Sequence, residues 1–449
     1  MSLYSKVKGP FYDSWESASE EQRQETIRAR LKMILDIAQN KTQWYSNDLY
    51  QDVLSTVNVN DRNPLAKVPY LTSSKMRTAL PPMSRDLISK PGTDYTVFQS
   101  GGTTGVPKTT LFSYEEMEHI NELNARGFYA VGLTDQDKVA NLWAVGALYM
   151  TFIHMNRMLM EYGCMNFPFT NYAEKDFLVN IVKTFKVNAF TGMSSAILTT
   201  IRQLHDEGVD IEIDKIYYGG EHFYETDKEE VRKKFGTKTI LAPGYGTVDS
   251  WYIGYQCEHS DTGVFHAHDD QLYVEILDPE TLEPKAPGEV GMLYVTPFFR
   301  QLTPIVRYQV GDLAYWTNES CSCGRTTPTF KLLGRGDDVL RVGYDSFDYN
   351  FIQDFFLTID GLSGTVQLVK TRTEGKDLLT INVETEEDLS ADFLNSVVDQ
   401  LISRRPTLKR AYETGDIHRP IINAVAIGSL ERNSRTGKLS RVKDLSVKA

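Results

Sequence analysis

The hydrophobic positions of this chain change spacing repeatedly, and the changes predict alternating strands and helices. Residues 20–40 carry apolar side chains at helical spacing, which predicts an amphipathic helix, and irregular chain is expected from there to residue 64. Further strands are expected at 93–98, from 139, at 189–190, 215–218 and 239–242, and further helices at 113–127, 177–185 and 194–204. Because strands that alternate with helices form parallel β-α-β units, a parallel sheet is expected.

The residues at 113–127 also carry a helix start signal. Ser113 precedes the helical run and Glu116 follows three residues later, which is the pattern of a capping box. The helix is therefore expected to begin just after Ser113.

The pattern changes near residue 272. Apolar residues now alternate with polar ones at 272–276 and 291–295, on either side of a turn at Asp278-Pro279, which predicts an antiparallel, barrel-like region. An exposed linker is expected at 334–338. Beyond it we expect a hairpin of 365–369 and 378–383 around 374–376, a helix at 389–402 and a strand at 424–427.

These elements indicate an α/β protein with more than one domain, as expected for 449 residues. Residues 1–336 are predicted to form a large N-terminal domain, in which helices flank mixed and parallel sheets and a barrel-like subdomain follows. Residues 337–449 are predicted to form a small, mobile α+β domain.

Composition narrows the class of protein. Apolar residues make up 41% of the chain and charged residues 24%, which is globular composition, and the net charge of −12 argues against binding to nucleic acid or to an anionic membrane. No apolar run approaches the ~20 residues of a membrane span, and the first thirty residues lack the core of a signal peptide. Four cysteines in so long a chain do not form a disulfide framework. We expect a cytoplasmic protein whose thiols are reduced or bound to a metal.

The stretch 98–108 concentrates small and hydroxyl residues in one loop. Glycines let a backbone approach an anion closely, hydroxyls add donors and a lysine adds a positive charge. The loop comprises Ser100, Gly101, Gly102, Thr103, Thr104, Gly105 and Lys108. It matches neither the Walker A pattern nor Gly-x-Gly-x-x-Gly, yet it suits a triphosphate. The alternative is a flexible surface turn.

Six motifs in order resemble those of the adenylate-forming enzymes, the superfamily of acyl-CoA synthetases, adenylation domains and luciferases. They are the glycine loop, Gly219-Gly220-Glu221, Tyr245-Gly246, 307–312 with the sequence Arg-Tyr-Gln-Val-Gly-Asp, 334–338 with Gly-Arg-Gly-Asp-Asp, and 432–438 with Arg-Asn-Ser-Arg-Thr-Gly-Lys. The cysteines at 257, 321 and 323 make the chain most similar to the phenylacetate-CoA ligase branch. The resemblance covers nearly the full chain.

This resemblance implies two half-reactions. A carboxylate attacks the α-phosphate of ATP to give an acyl-adenylate and pyrophosphate, and a nucleophile, often the thiol of coenzyme A, then takes the acyl group. Lys438 would bridge the carboxylate and the α-phosphate, and the C-terminal domain would swing about Asp337 between the steps. For Lys438 the alternative is a solvated, charge-rich end of the chain.

The resemblance also implies the nucleotide contacts. Asp312 would accept both ribose hydroxyls, and Arg307 and Arg335 would lie near the ribose or the phosphates. A structural ion pair is the alternative for Arg307. The remaining expected contacts are Gly219, Gly220 and Glu221 on the adenine side, and Gly246 with Tyr245, which would stack near the adenine or the acyl group or be a core tyrosine.

Residues 245–249 depart from the family pattern of Tyr-Gly-x-Thr-Glu. Thr247 supplies a hydroxyl one position early, Val248 cannot donate a hydrogen bond, and Asp249 would hold Mg²⁺ on a shorter arm. The departure puts ordinary adenylation efficiency in question.

Three cysteines and one histidine are candidate zinc ligands. Cys257, Cys321 and Cys323 could converge with a histidine on a tetrahedral Zn²⁺. His266 fits the branch pattern best, with His259 and His268 as competitors. We expect the zinc to be structural, and the alternative is three reduced cysteines.

The acid is expected to bind beside aromatic and small residues, which favour a flat aromatic acid. The candidate residues are Trp143, Tyr149, Met193 and Ser194. Three functions are compatible with these expectations. The first is an aryl-CoA ligase. The second is an adenylating enzyme of secondary metabolism, such as antibiotic biosynthesis with a phenazine-type acid, that passes the acyl group to a carrier protein, an amine or a reductase, and the third is a degenerate homologue that binds nucleotide without turnover. The branch suggests a homodimer.

Overall fold

The computed structural model describes most of the chain, namely residues 2–100, 108–146, 148–170, 173–209, 211–220, 223, 225–336, 339–360, 362, 365–431 and 439–446. Within these residues, backbone packing divides the chain into two compact units. The first unit contains the described residues of 2–100 and 109–334, and the second contains Lys108 and the described residues of 335–446.

Helices occur in both units. Their bounds are α1 Leu3–Lys6, α2 Glu20–Lys41, α3 Asp48–Ser55, α4 Ser73–Thr78, α5 Tyr114–Ala130, α6 Thr151–Tyr162, α7 Lys175–Phe185, α8 Ser194–Asp206, α9 Glu225–Phe235, α10 Tyr349–Leu357, α11 Ala391–Arg404 and α12 Pro406–Glu413, with a 3₁₀ turn at Ser14–Ser17. No helix in the described part of the chain is both long and apolar enough to cross a bilayer.

The strands fall into several sheets. Their bounds are β1 Tyr95–Ser100, β2 Lys108–Ser113, β3 Lys138–Asn141, β4 Met165–Phe167, β5 Ala189–Met193, β6 Lys215–Gly219, β7 Thr239–Leu241, β8 Tyr245–Thr247, β9 Trp251–Tyr255, β10 Val264–Ala267, β11 Leu272–Leu277, β12 Gly291–Pro297, β13 Tyr308–Trp316, β14 Thr329–Arg335, β15 Val339–Val342, β16 Asp345–Asp348, β17 Val366–Thr373, β18 Lys376–Glu384, β19 Ile421–Val425 and β20 Val442–Asp444.

The first unit contains the predicted parallel sheet. Its strands lie in the order β4-β3-β5-β6-β7 and all neighbouring pairs are parallel. Between β5 and β6 the register places Met193 opposite Gly219, so both strands end at the same edge. The predicted fold class is confirmed.

The same unit contains an antiparallel sheet, in the order β11-β12-β13-β14-β10-β9-β8. The predicted alternation at 272–276 and 291–295 corresponds to β11 and β12, which pair antiparallel from Leu272–Pro297 to Leu277–Met292. One apolar core contains side chains from both sheets, including Phe190 and Ile216 of the parallel sheet and Leu293 of the antiparallel one.

The second unit has its own core, around Ile352, Leu368, Ile381 and Leu401. Its sheet has the order β19-β18-β17-β20, and β15 pairs with β16. The predicted hairpin is present, and both residues of its turn, Glu374 and Gly375, have positive φ. Two-residue hairpin loops favour this conformation because it matches the twist of the strands.

Local signals located some elements and missed others. The capping box at Ser113 is present, because the Ser113 hydroxyl accepts from the Glu116 N–H and the Glu116 carboxylate accepts from the Ser113 N–H. The irregular chain expected up to residue 64 was wrong, since Asn47 caps α3, which buries Tyr50 and Leu54. Gly334 belongs to β14 rather than to a linker, and the strand expected at 424–427 begins three residues earlier, at Ile421.

We call residues 9–18 the N-terminal seam. Glu16 in this segment is buried and accepts a hydrogen bond from the Tyr255 hydroxyl at 3.0 Å and another from the Arg325 guanidinium. The indole of Trp15 donates to Asp269 at 3.0 Å. The seam thereby joins the start of the described chain to residues more than 250 positions later.

Candidate active site

Several predicted site residues lie at the carboxyl edge of the parallel sheet. Trp143 follows β3, Met193 ends β5 and Gly219 ends β6. In open α/β sheets this edge is where ligands bind. The Trp143 indole is held by a hydrogen bond from its Nε1 to Thr191 Oγ1 at 3.1 Å.

The indole of Trp143 lies against the backbone of the two glycines. A Cβ atom on Gly219 would stand 3.1 Å from Trp143 Cη2, closer than nearly all real Cβ contacts. Gly220 has a φ of +73°, and a Cβ there would contact both Trp143 and Met193 at 3.6–3.7 Å. The predicted acid residues Trp143 and Met193 therefore converge with the predicted nucleotide residues Gly219 and Gly220.

The other two residues predicted to bind the acid substrate are Ser194 and Tyr149. Ser194 is buried at the first position of α8, directly after Met193. Tyr149 is half-buried, and its backbone N–H donates to Gly146 at 2.8 Å. Burial raises the pKa of the Tyr252 phenol above its usual value, and the nearby Tyr149 adds to this rise.

Tyr252 was not predicted and belongs beside this group. A Cβ atom on Gly244 would come within 2.1 Å of the Tyr252 ring, so only glycine at 244 lets the ring lie on the turn that follows β7. The adjacent Trp251 stacks on Tyr252, with ring centroids 5.2 Å apart. The sequence signal that could have identified Tyr252 is the pair of adjacent aromatic residues soon after the Tyr-Gly motif.

Tyr245 and Asp312 meet directly. The Tyr245 hydroxyl donates to Asp312 Oδ2 at 2.5 Å, and its ring packs on Phe265 and Phe330. A Cβ on Gly246 would lie 1.9 Å from the Trp251 carbonyl oxygen, so this position also requires glycine. The contact with Asp312 places Tyr245 on the predicted ribose side.

The turn that contains Asp249 is fixed from several directions. Thr247 Oγ1 accepts from the Ser250 N–H at 3.1 Å, which closes the turn. The Tyr308 hydroxyl donates to Asp249 Oδ2 at 3.1 Å, and Arg300 Nε donates to the Asp249 carbonyl at 3.0 Å. Asp249 is buried in this position.

Arg307 occupies a structural environment. Its guanidinium is fully buried, donates to the carbonyls of Ala66 and Val68 at 3.1 and 3.0 Å, and lies 3.3 Å from Glu275. Burial raises the pKa of the Glu275 carboxyl to about 7, against the opposing effect of Arg307. The geometry thus favours the ion-pair alternative over a nucleotide contact.

The four predicted zinc ligands lie together. The Sγ atoms of Cys257 and Cys321 are 3.6 Å apart, Cys323 Sγ is 3.5 Å from His266 Nε2, and all four ligand atoms lie within 4.8 Å of one another. A tetrahedral ion with Zn–S bonds of about 2.3 Å would place two sulfurs about 3.8 Å apart. His266 Nδ1 is 3.0 Å from Thr327 Oγ1, which leaves Nε2 facing the sulfurs.

The competing histidines are engaged elsewhere. His268 Nδ1 lies 3.1 Å from the Arg126 guanidinium, and His259 Nδ1 lies 3.3 Å from Ser322 Oγ. Within the cluster, the hydrogen bond between Cys257 and Cys323 lowers the pKa of Cys323 and raises that of Cys257, so the thiolate is on Cys323. Thiolate sulfur is the form that binds metal.

Some predicted residues lie outside the described part of the chain. They are Gly101, Gly102, Thr103, Thr104, Gly105, Glu221, Asp337 and Lys438, together with the side chains of Ser100 and Arg335. Lys108 begins β2 and is buried.

Arg300 was also missed by the sequence analysis. It is the one charged residue in the sequence stretch 290–306 and is fully shielded from solvent in the structure. A lone arginine in such a run is a signal of a buried ion pair, because a buried charge must be paired.

Comparison with known proteins identifies the family. The sequence matches the AMP-binding enzyme family over residues 14–297. The chain belongs to this family. The prediction of an adenylate-forming enzyme similar to the phenylacetate-CoA ligases is therefore confirmed.

Curated relatives in the family have low sequence identity to this chain but align with most of its length. The phenylacetate-coenzyme A ligase of Thermus thermophilus is 23% identical over 435 residues, which span 93% of this chain and 95% of the relative. The indoleacetate–lysine synthetase of Pseudomonas savastanoi is 23% identical over 336 residues, which span 70% of this chain and 75% of the relative.

A solved structure of 2-hydroxyisobutyryl-CoA ligase, in complex with its acyl-adenylate and CoA, has a similar fold. It is 22% identical, covers 97% of this chain and 92% of its own, and gives a TM-score of 0.79.

Proposed function

We propose that the chain is an ATP-dependent ligase that activates an aromatic carboxylic acid and transfers the acyl group to coenzyme A. The convergence of Trp143 and Met193 on the backbone of Gly219 and Gly220 carries the proposal within the AMP-binding family. A buried indole packed on two residues without side chains lines this edge of the sheet with flat groups, which favours a planar ring in the ligand.

In the first step a carboxylate oxygen forms a bond to the α-phosphorus of ATP, and pyrophosphate leaves. Lys438 would offset the charge at the α-phosphate, Asp312 would accept the ribose hydroxyls, and the loop of residues 100–105 would bind phosphate oxygens. Asp249 is a buried carboxylate and therefore fits Mg²⁺, which prefers oxygen ligands and would offset phosphate charge. In the second step the coenzyme A thiol attacks the acyl carbonyl and AMP leaves, after residues 337–449 have swung about Asp337.

The test is pyrophosphate release with ATP and Mg²⁺ across paired acids, such as phenylacetate and its cyclohexyl counterpart, each with and without coenzyme A. We expect faster release with the planar member of each pair, multiple turnovers with coenzyme A, and a thioester product. Equal rates for planar and saturated rings would contradict the aromatic substrate, while a CoA-dependent thioester would still establish the ligase.

One relative favours an amine as a second candidate acceptor of the acyl group. Indoleacetate–lysine synthetase, by its name, joins an acid to an amine, so this chain is a candidate for transfer to an amine. Carrier-protein or reductase acceptors and the non-turnover homologue remain the other options. Pyrophosphate release that does not respond to coenzyme A but yields an amide when lysine or another amine is added would select this function.

We also propose that Cys257, His266, Cys321 and Cys323 bind a structural zinc ion, because their four ligand atoms lie within 4.8 Å of one another and are of the types that zinc prefers. Protein purified without chelators is expected to contain about one zinc per chain. Replacement of Cys323 by Ser should lower that content, and Cys164→Ser is the matched control, because Cys164 is a buried cysteine outside the cluster. Wild-type protein without zinc would refute the proposal.

A further inference from the structure

The guanidinium of Arg300 joins separate segments of the first unit. Nη1 donates to Glu116 Oε2 at 2.7 Å, and Nη2 donates to Thr110 Oγ1 at 3.2 Å and Thr303 Oγ1 at 2.6 Å. Nε donates to the backbone carbonyl of Asp249 at 3.0 Å. All three guanidinium nitrogens are therefore used, in the fork geometry that only arginine provides.

The partners belong to segments that flank the candidate nucleotide site. Thr110 lies in β2, the strand that directly follows the glycine loop in sequence, and Glu116 belongs to the capping box of α5. Glu116 Oε1 also accepts from the Leu302 N–H at 2.8 Å, so the ion pair is anchored on both sides. The Phe112 ring lies 3.6 Å from the guanidinium carbon and restricts its plane.

The pair is fully enclosed. The side chains of Arg300 and Glu116 are 0% and 3% exposed. Burial raises the pKa of Glu116, while Arg300 and the backbone donors oppose that rise. A group held so completely has one arrangement, and a shorter side chain cannot reproduce it.

We propose that Arg300 is a positioning residue that holds the Asp249 turn against β2, so that the Asp249 carboxylate can bind the magnesium ion of a magnesium–ATP complex. The inference rests on the proposed function. Arg300 touches no reacting atom in this scheme, because it acts through the Asp249 backbone. Partners outside the first coordination shell typically change metal affinity by about 10- to 100-fold when they are replaced.

The experiment measures ATP affinity by calorimetry in two buffers, one with saturating Mg²⁺ and one with EDTA. For the wild type we expect Mg²⁺ to tighten binding. Arg300→Lys keeps the positive charge but loses the fork of donors. We expect the enhancement of ATP affinity by Mg²⁺ to be about tenfold smaller in this variant than in the wild type, and the ATP affinity in EDTA to be unchanged.

Arg126→Lys is the matched control. Arg126 is also a buried arginine, in α5, paired with Asp270 at 2.9 Å and with Asp13 at 2.7 Å, and none of its polar contacts within the described residues reaches the Asp249 turn. We expect this variant to be less stable than the wild type, with the same response of ATP affinity to Mg²⁺. A purely structural role for Arg300 would make the two lysine variants behave alike, and that result would overturn the inference.

A double-mutant cycle tests whether Arg300 acts through Asp249. In an Asp249→Asn background, Arg300→Lys is expected to cause no further loss of the Mg²⁺ enhancement. Additive losses would overturn the inference. If Arg300→Lys does not fold, Thr110→Val removes one acceptor without unpairing the charge. It should reduce the enhancement in the same direction, and an unchanged enhancement would overturn the inference.

Failure of the proposed function is distinguishable in the same experiment. A wild-type chain that binds ATP in neither buffer would refute the proposed function and the inference with it. Normal wild-type binding together with a normal Mg²⁺ response in Arg300→Lys would refute the inference alone.

Discussion

Arg300 and Arg307 lie in one stretch of sequence and are equally buried, yet their surroundings differ. The Arg300 guanidinium is shared among a carboxylate, two threonine hydroxyls and the carbonyl of Asp249. Arg307 donates to three loop carbonyls and lies 3.3 Å from the carboxylate of Glu275.

The difference shows that the partners of a buried arginine decide its role. Arg307 stands in a motif of the family, but its partners belong to the loop at residues 66–68, to a second loop and to β11. Arg300 stands in none of the six motifs, but its partners border the candidate nucleotide site. Variants at the two positions test this difference when their unfolding free energy and their ATP affinity are measured separately.

The largest effect is expected for Arg307→Ala. Removing one partner of a buried ion pair leaves an uncompensated charge and typically costs about 3–5 kcal/mol of unfolding free energy. Urea unfolding above pH 7, where Glu275 is ionised, should show this loss, while the ATP affinity of the folded protein, with and without Mg²⁺, stays at the wild-type value. A large loss of ATP affinity with little change in stability would restore the nucleotide contact first expected for Arg307.

A smaller effect is expected in the pH dependence of stability. Because the pKa of Glu275 is raised to about 7 in the folded protein, its proton is held there but lost from the unfolded chain above about 4.5. The contribution of Glu275 is therefore fully present below about pH 4.5 and is lost as the pH rises through 7, to the extent of about 3 kcal/mol.

Glu275→Gln should remove this decline between pH 4.5 and 7, whatever its effect on absolute stability. Unfolding free energies across that range provide the measurement, and Glu319→Gln, at an exposed position, is the control. Parallel pH profiles for the wild type and Glu275→Gln would show that Glu275 is ionised throughout.

The smallest effect is expected for Thr303→Val. The variant loses one hydrogen bond to the Arg300 guanidinium, which is worth about 1–2 kcal/mol, but keeps the bonds from Arg300 to Thr110 of β2 and to Asp249. Thermal unfolding should detect the loss, and calorimetry should find an unchanged response of ATP affinity to Mg²⁺. A reduced response would mean that Thr303, and not only the bonds to β2 and to Asp249, controls the turn.

The sequence predicted elements where the pattern and the caps agreed. The helix after Ser113, the parallel strands ending at Met193 and Gly219, and the hairpin around Gly375 were located because apolar spacing or turn chemistry marks them locally. Helix α9 was missed because its residues are almost all charged, so it carries little apolar periodicity.

The site was predictable to the extent that the motifs of the family name its residues. The meeting of Tyr245 with Asp312, 67 positions apart, and of Cys257 with Cys321, 64 positions apart, follows from tertiary packing that no local pattern encodes. Arg300 was missed for the same reason, since its role depends on partners as distant as Thr110, 190 positions away.

The N-terminal seam has a consequence for the order of folding. The contact of Glu16 with Arg325 spans 309 residues of chain, so during synthesis Glu16 has no native partner at Arg325 until that residue has been translated. At about 5–20 residues per second, this interval lasts roughly 15–60 s. Closing so long a loop also makes the contact a late event in refolding, which Trp15 fluorescence could follow as its indole reaches Asp269.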